Sequence, residues 1–281
     1  MEICRTKTAI RAWRKSAGLV TLVPTMGFLH EGHMSLVRRA KAEGGTVAAS
    51  IFVNPTQFGP SEDLSTYPRN EARDLDMLRA EGVDAVFVPD VAEVYDPKAQ
   101  TIVETTELAK ILIGKLRPGH FRGVATVVAK LFNIIRPDAA VFGEKDYQQL
   151  AIIRTMVRDL DMDVAIIGGP IMREADGLAM SSRNVRLTPE DRESAPVLAR
   201  ALEEAAAMAP TGVTASRLRS HVRATIEAEP RAQVQSVDIR DAATLDTISG
   251  PLTRPAVILL AVKFGQVFLI DNRVVTPKES T

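Results

Sequence analysis

The stretch Val23-Pro24-Thr25-Met26-Gly27-Phe28-Leu29-His30-Glu31-Gly32-His33 carries an apolar run through a glycine turn into the start of a helical period. That is the strand–turn–helix unit of an α/β fold, and the backbone N–H groups and positive dipole end at such a helix start favour an anion. On either side of it, short runs rich in Val, Ile and Phe alternate with longer amphipathic segments, the pattern of βαβ units and a parallel sheet. Strands are expected at 19–24, 46–53, 85–88, 139–142 and 163–167, and helices at 34–43, 69–81, 124–135 and 147–160. The alternation covers the first 170 or so residues and predicts an α/β fold with a parallel sheet.

Beyond Arg186 the texture changes. Thr188-Pro189-Glu190 has the form of a helix N-cap with proline in the first turn, leading into an Ala- and Glu-rich run to Met208. Pro210-Thr211-Gly212 breaks that helix, another runs through His221 to Glu227, and strands at 233–240, 256–262 and 266–270 follow, the last two joined as a hairpin at Gly265. The expectation is an α/β domain over 1–172 and a smaller α+β domain over 173–281.

Composition narrows the class. The 281 residues are 46% hydrophobic, enough for a sizeable core, and 35 Lys+Arg balance 35 Asp+Glu. With no net field, no basic stripe and no aromatic platform, nucleic acid is not an expected partner, and any anion site is local. Cys4 is the only cysteine, which excludes an internal disulfide and a cysteine-based zinc cluster. Glu2, Arg5 and Lys7 interrupt the N-terminal segment around Trp13, so no signal peptide or membrane span is read there and a cytoplasmic location is expected.

Three stretches carry chemistry. In the first, His30 and His33 are three apart, on one face if the helix has begun, and Gly32 between them leaves room for a nucleotide. Two readings stand side by side: a capping or packed histidine next to a solvated one, or two imidazoles donating to phosphate oxygens. Zinc is disfavoured by four histidines in all and no H-E-x-x-H. The second stretch, Phe142-Gly143-Glu144-Lys145-Asp146-Tyr147-Gln148-Gln149, again joins a strand to a helix. There Lys145 offers a point charge to phosphate, and Asp146 is either a helix cap or a Mg²⁺ ligand. The third, Met180-Ser181-Ser182-Arg183-Asn184, offers two hydroxyls and a guanidinium near the domain joint. Neither G-x-x-x-x-G-K-[ST] nor a post-strand G-x-G-x-x-G occurs, so the P-loop and dinucleotide-binding signatures are missing.

The H-x-G-H turn with a later basic Ser-containing loop resembles the nucleotidyl-transferring superfamily that includes class I aminoacyl-tRNA synthetases. More narrowly, the 24–33 block, Phe52-Val53-Asn54-Pro55-Thr56-Gln57-Phe58, Arg117-Pro118-Gly119-His120-Phe121-Arg122-Gly123, Gly143-Glu144-Lys145-Asp146 and Met180 to Asn184 together resemble the pantothenate synthetase family. The resemblance implies a Rossmann-like N-terminal domain with a smaller C-terminal lid domain, a homodimer, dependence on Mg²⁺ bound mainly through ATP phosphates, and ligation of pantoate to β-alanine through a pantoyl-adenylate. It implies catalytic roles for His33, His30 and Lys145. It implies an ATP site of Met26, Gly27, Phe28, Leu29, His30, Glu31, Gly32, His33, Gly143, Glu144, Lys145, Asp146, Met172, Met180, Ser181, Ser182 and Arg183. Gln57 and Gln149 would bind pantoate, and Gln57 also β-alanine. Met172 stands where the family often has valine, and Thr56 lies at a variable position. Arg117, His120 and Arg122 receive no role; the glycines and Pro118 around them suggest a cationic loop. The rival readings are another adenylyl- or cytidylyltransferase, which the Gln57 and Gln149 blocks oppose, and a catalytically silent nucleotide-binding protein.

Overall fold

The structure, a computed structural model, describes residues 1–59 and 64–277. It contains two compact units, the first Met1–Glu144 with Gln148–Pro170, the second Lys145–Tyr147 with the chain from Ile171 on. Relative to the expected boundary after residue 172, the three residues Lys145–Tyr147 group with the second unit. Side-chain bonds account for this: Asn272 Nδ2 donates to the Lys145 carbonyl at 2.9 Å and the Tyr147 hydroxyl to the Ala242 carbonyl at 2.6 Å.

The first unit runs β1 (Glu2–Cys4), α1 (Lys7–Arg14), β2 (Val20–Thr25), α2 (Glu31–Ala42), β3 (Thr46–Ile51), α3 (Glu71–Ala80), β4 (Ala85–Phe87), α4 (Val91–Val94), α5 (Ile113–Leu116), α6 (His120–Ile135), β5 (Ala139–Gly143), α7 (Tyr147–Asp159) and β6 (Ala165–Gly169). The sheet order is β1-β4-β3-β2-β5-β6, and every pairing is parallel. Alternate residues of each strand feed opposite cores, as a period of two requires. Val20, Leu22, Ala48, Ala85, Phe87, Ala140 and Phe142 join α1, α6 and α7 on one face. Val23, Val47, Ala49, Ile51, Val86 and Val141 join α2 and α3 on the other. Both faces being covered, the strands read as the unbroken apolar runs seen in the sequence.

Strand order reverses between β2 and β5, which pair at Thr21↔Ala139 and Leu22↔Ala140. Ligands of open α/β sheets bind beyond the carboxyl ends of strands at such a switch point. The segment after Thr25 and the segment after Gly143 are two of the three chain stretches singled out above.

The second unit holds α8 (Pro189–Ser194), α9 (Val197–Met208), α10 (Ala215–Glu227), β7 (Ala232–Asp241), β8 (Ala256–Phe264) and β9 (Val267–Val275). The strands form an antiparallel meander in the order β7-β8-β9, whose Ile258, Leu260, Val262 and Phe264 share a core with Leu198 and Leu202 of α9 and Leu218 and Val222 of α10. The helix expected from Pro189 to Met208 is two helices, because Pro196 has no N–H to continue the ladder. Gly265, at φ +55°, makes the turn of the hairpin that pairs Phe264 with Val267. The elements without an expectation include β1 and α1; the first is a three-residue edge strand and the second a short helix, both too brief for a clear period. No helix among the described residues is long and apolar enough to cross a membrane.

Candidate functional site

The turn after β2 is built by residues distant in sequence. Gly27 takes φ +83°, and a Cβ there would come within 3.1 Å of the Asp74 carboxylate and of Ile51. Phe28, at φ +50°, and Leu29 donate their backbone N–H groups to Asp74 Oδ2 and Oδ1, each at 2.7 Å. Asp74 projects from α3 and is only 1% exposed; burial pushes its carboxyl above the ordinary range, while the two N–H bonds and Arg73 pull it back. Arg73 donates to the Leu29 carbonyl at 3.0 Å and lies over the Phe28 ring. The Leu29 side chain is core. Whatever Leu29 offers a ligand is therefore limited by backbone groups already engaged with Asp74 and Arg73.

His30 is the N-cap of α2 and His33 the third residue of that helix, so the helix begins just after His30. A reciprocal capping box joins the two side by side. His30 Nδ1 accepts from Gly32 N, His33 Nδ1 accepts from His30 N, both at 3.2 Å, and the rings stand 4.1 Å apart. A neutral imidazole that accepts at Nδ1 carries its proton on Nε2. Capping and phosphate donation are thus compatible, since the cap consumes one nitrogen and sets the other as a donor. Glu31, exposed, is ion-paired with Arg38.

Gln57 lies on the short 3₁₀ turn Pro55–Gln57 that follows β3, 8% exposed. Its Nε2 donates to Met26 Sδ at 3.0 Å, so these two expected site residues meet. Asn54 caps the turn, and its Nδ2 donates to Gln57 Oε1 at 3.0 Å and to the Gly123 carbonyl at 3.1 Å. Tyr95 donates to Asn54 Oδ1 at 2.8 Å. A cavity of 240 Å³ is lined by Met26, Gly27, Phe28, Phe52, Asp74 and Asp90 among others.

The region around 117–123 corrects the expected loop. Arg117 to Gly119 link α5 to α6, Gly119 at φ +83° is the N-cap, and His120 to Gly123 form the first turn of α6. Arg122 is exposed, whereas Arg117 and His120 are half-buried.

After β5, Gly143 pairs with Gly169, and the Glu144 side chain lies against Gly168, where a Cβ would meet its carboxylate at 2.6 Å. Gln148, next to the expected pantoate residue Gln149, is a structural staple: Oε1 accepts from Ile113 N, and Nε2 donates to the carbonyls of Leu108 and Ile111. Those bonds bracket Leu112, whose φ of +50° and ψ of −122° are strained for leucine. Gln149 is half-buried in the first turn of α7.

In the second unit, desolvation lowers the pKa of Lys145 most, the Arg183 charge lowers it further, and Asp146 and Asp271 act in the opposite sense. Asp146 is exposed at the end of the 3₁₀ turn Glu144–Asp146. Met180 N donates to the Met172 carbonyl at 2.9 Å, so these two pair through the backbone. Ser181 Oγ accepts from Arg183 N at 3.2 Å, and Asn184 N bonds the Ser181 carbonyl at 3.0 Å, folding Ser181 to Asn184 into one turn with Ser182 half-buried. Arg173 clamps Asp271 with two bonds of 2.7 and 3.0 Å and anchors this loop to β9. Among the described residues no three or more His, Cys, Asp or Glu side chains gather into a metal cage.

Sequence reading missed Asp74, Arg73, Asn54, Tyr95 and Arg173. One signal for Asp74 was available: it sits four residues before the buried Leu78, an acid on the apolar face of a helix.

The comparisons with known proteins agree. The family model described as pantoate-beta-alanine ligase matches residues 2–274. A pantothenate synthetase of Sinorhizobium medicae is 50% identical over 279 residues, covering 99% of this chain and 96% of that protein. The crystal structure of pantothenate synthetase from Thermus thermophilus superposes with a TM-score of 0.92 at 44% identity, covering 97% of this chain and 99% of that one. The pantoate-beta-alanine ligase of Francisella tularensis, complexed with beta-gamma ATP and beta-alanine, gives 0.81 at 35% identity, covering 100% of this chain and 99% of that one.

Proposed function

Since the chain belongs to the pantoate-beta-alanine ligase family, we propose that it condenses pantoate with β-alanine at the expense of ATP, through a pantoyl-adenylate, releasing AMP and pyrophosphate. The observation that carries this is the capping box, which ties down Nδ1 of both His30 and His33 at a helix start on the sheet's switch point and sets each Nε2 as a donor.

In the first step the pantoate carboxylate attacks the α-phosphorus, the bond to the bridging oxygen breaks, and pyrophosphate leaves. Negative charge grows on the phosphoryl oxygens, and imidazole N–H donors held in place before the reaction stabilise it without reorganising. His33 and His30 serve as those donors. Met26 to Gly32, Gly143 to Asp146, Met172 and Met180 line ATP through the groups that the Asp74, Arg73 and Met180–Met172 bonds leave available. Lys145, Ser181, Ser182 and Arg183 add cationic and hydroxyl contacts. In the second step the neutral amine of β-alanine attacks the acyl carbon, AMP departs, and the amine loses a proton. Gln57 and Gln149 hold the hydroxyls and carboxylate of pantoate with amides that donate and accept without adding charge, and Gln57 also meets β-alanine.

Mg²⁺ enters with ATP as its phosphate complex. Mg²⁺ keeps most of its water and takes one or two protein carboxylates, so few ligands would be asked of the chain. Asp146 is the carboxylate assigned to it. The protein works in the cytoplasm as a homodimer, and the second unit serves as the lid of the family.

The test is release of AMP and pyrophosphate from ATP, Mg²⁺ and pantoate, with and without β-alanine, with mass detection of the amide. AMP that requires both substrates, with pantothenate formed, establishes the ligase. Pyrophosphate without AMP when both substrates are present points to a nucleotidyltransferase, and ATP binding without turnover to a silent binder.

A further inference from the structure

The Arg117 to Gly123 block carries no role in the reaction just described, yet it seats the turn that bears Gln57. His120 Nδ1 lies 2.8 Å from the Gln57 carbonyl oxygen, and Arg117 Nη1 lies 3.1 Å from His120 Nε2. A carbonyl only accepts and a guanidinium only donates, so these two contacts determine the tautomer: the His120 proton is on Nδ1 and Nε2 accepts. Arg117 Nη2 reaches the same Gln57 carbonyl at 3.4 Å. At Gly123 a Cβ would come within 2.3 Å of the Thr56 carbonyl, so the first turn of α6 presses directly on this segment.

Both ends of the Gln57 residue are therefore held, but unequally. Its carbonyl has a charge-backed imidazole donor, and its Oε1 has Asn54. Among the described residues its Nε2 has the thioether of Met26, a weak acceptor that a hydroxyl or carboxylate oxygen displaces at little cost. A side chain so anchored at the backbone and left with a weak partner at its tip is organised for a ligand before the ligand arrives.

We propose that Arg117 and His120 are positioning residues for pantoate: Arg117 holds His120 in the Nδ1–H tautomer, and His120 holds the Gln57 turn in its binding conformation. This rests on the reading of Gln57 as a pantoate ligand. It predicts opposite behaviour of two amide replacements at His120. An asparagine N–H stands where Nδ1–H stands, whereas a glutamine N–H stands where Nε2 accepts, facing the Arg117 guanidinium.

The experiment measures KM for pantoate, KM for ATP and kcat on the full chain for wild type, Gln57→Ala, His120→Ala, His120→Asn, His120→Gln and the Gln57→Ala/His120→Ala double variant. Loss of the bond raises pantoate KM by about tenfold in His120→Ala with ATP KM within about twofold, the size of one hydrogen bond to a buried acceptor. His120→Asn recovers most of that and His120→Gln does not. The double variant matches Gln57→Ala, because His120 has no side chain left to position. A wild-type pantoate KM in His120→Ala, with Gln57→Ala impaired, overturns the proposal and leaves the reading of Gln57 standing. A wild-type pantoate KM in Gln57→Ala overturns both. Equal defects in His120→Asn and His120→Gln, or pantoate and ATP KM rising together, mark a merely structural histidine and also overturn it. Should His120→Ala fail to fold, the Asn and Gln pair decides alone.

Discussion

The first unit carries two histidine clusters with opposite wiring. At the start of α2, His30 and His33 accept backbone N–H groups at Nδ1, so Nε2 holds the proton. At the start of α6, His120 donates from Nδ1 to a carbonyl and accepts at Nε2 from Arg117. Both lie at helix N-termini. What differs is the group opposite: backbone donors in one case, a carbonyl and a guanidinium in the other. An imidazole's function is decided by whichever nitrogen its supporting partner consumes.

The largest expected effect breaks the first cluster. His33→Ala lowers kcat by at least about 100-fold, the range for loss of a preorganised donor to developing charge, with the melting transition little changed. In His33→Gln an amide N–H takes the place of Nε2–H, and in His33→Asn it does not. At this position glutamine retains more turnover than asparagine, the reverse of the order expected at His120. A shared order at both positions removes the distinction between the clusters.

A smaller effect comes through Asp74. Asp74→Asn leaves one oxygen to accept two N–H groups, so the Phe28–Leu29 turn loosens; unfolding in denaturant shows a loss of about 1–2 kcal/mol, and ATP binding weakens with it. The loss stays modest because burial already disfavours the ionised carboxyl that asparagine replaces.

Lys145 adds a pH dependence outside both clusters. Its pKa in the folded protein is lowered, so the ammonium that attracts phosphate is present at low pH and lost as pH rises through that lowered value, sooner than for an exposed lysine near about 10.4. ATP affinity titrated upward from neutral pH falls early in wild type, and Lys145→Arg flattens that fall. The smallest effect is the control: Glu227→Ala removes an exposed i,i+4 pair with Arg223, 2.9 Å apart, and changes stability by no more than about 0.5 kcal/mol.

Much of this was legible beforehand. The apolar strand runs that alternate with helical periods imply a parallel sheet, and β2, β3 and β5 lie within a few residues of the expected spans. The H-x-G-H turn and the Gly143 to Asp146 turn both emerge at the carboxyl ends of strands flanking the switch point. The 117–123 block was misread because Pro118 and Gly119 do signal irregular chain, whereas the helix expected from residue 124 begins at His120, where its first turn packs against Thr56 and Gln57.

By itself the sequence determined the α/β order of elements, the helix starts marked by caps, and the residue types able to meet phosphate, all of which follow from periods and spacings of a few residues. The tertiary structure decided which nitrogen each histidine presents, that Asp74 holds a turn 46 residues away, and that His120 holds one 63 residues away. The reason is physical: a side chain's donor and acceptor capacity is local, but its partner is chosen only when sheet register and helix packing bring distant backbone within about 3 Å.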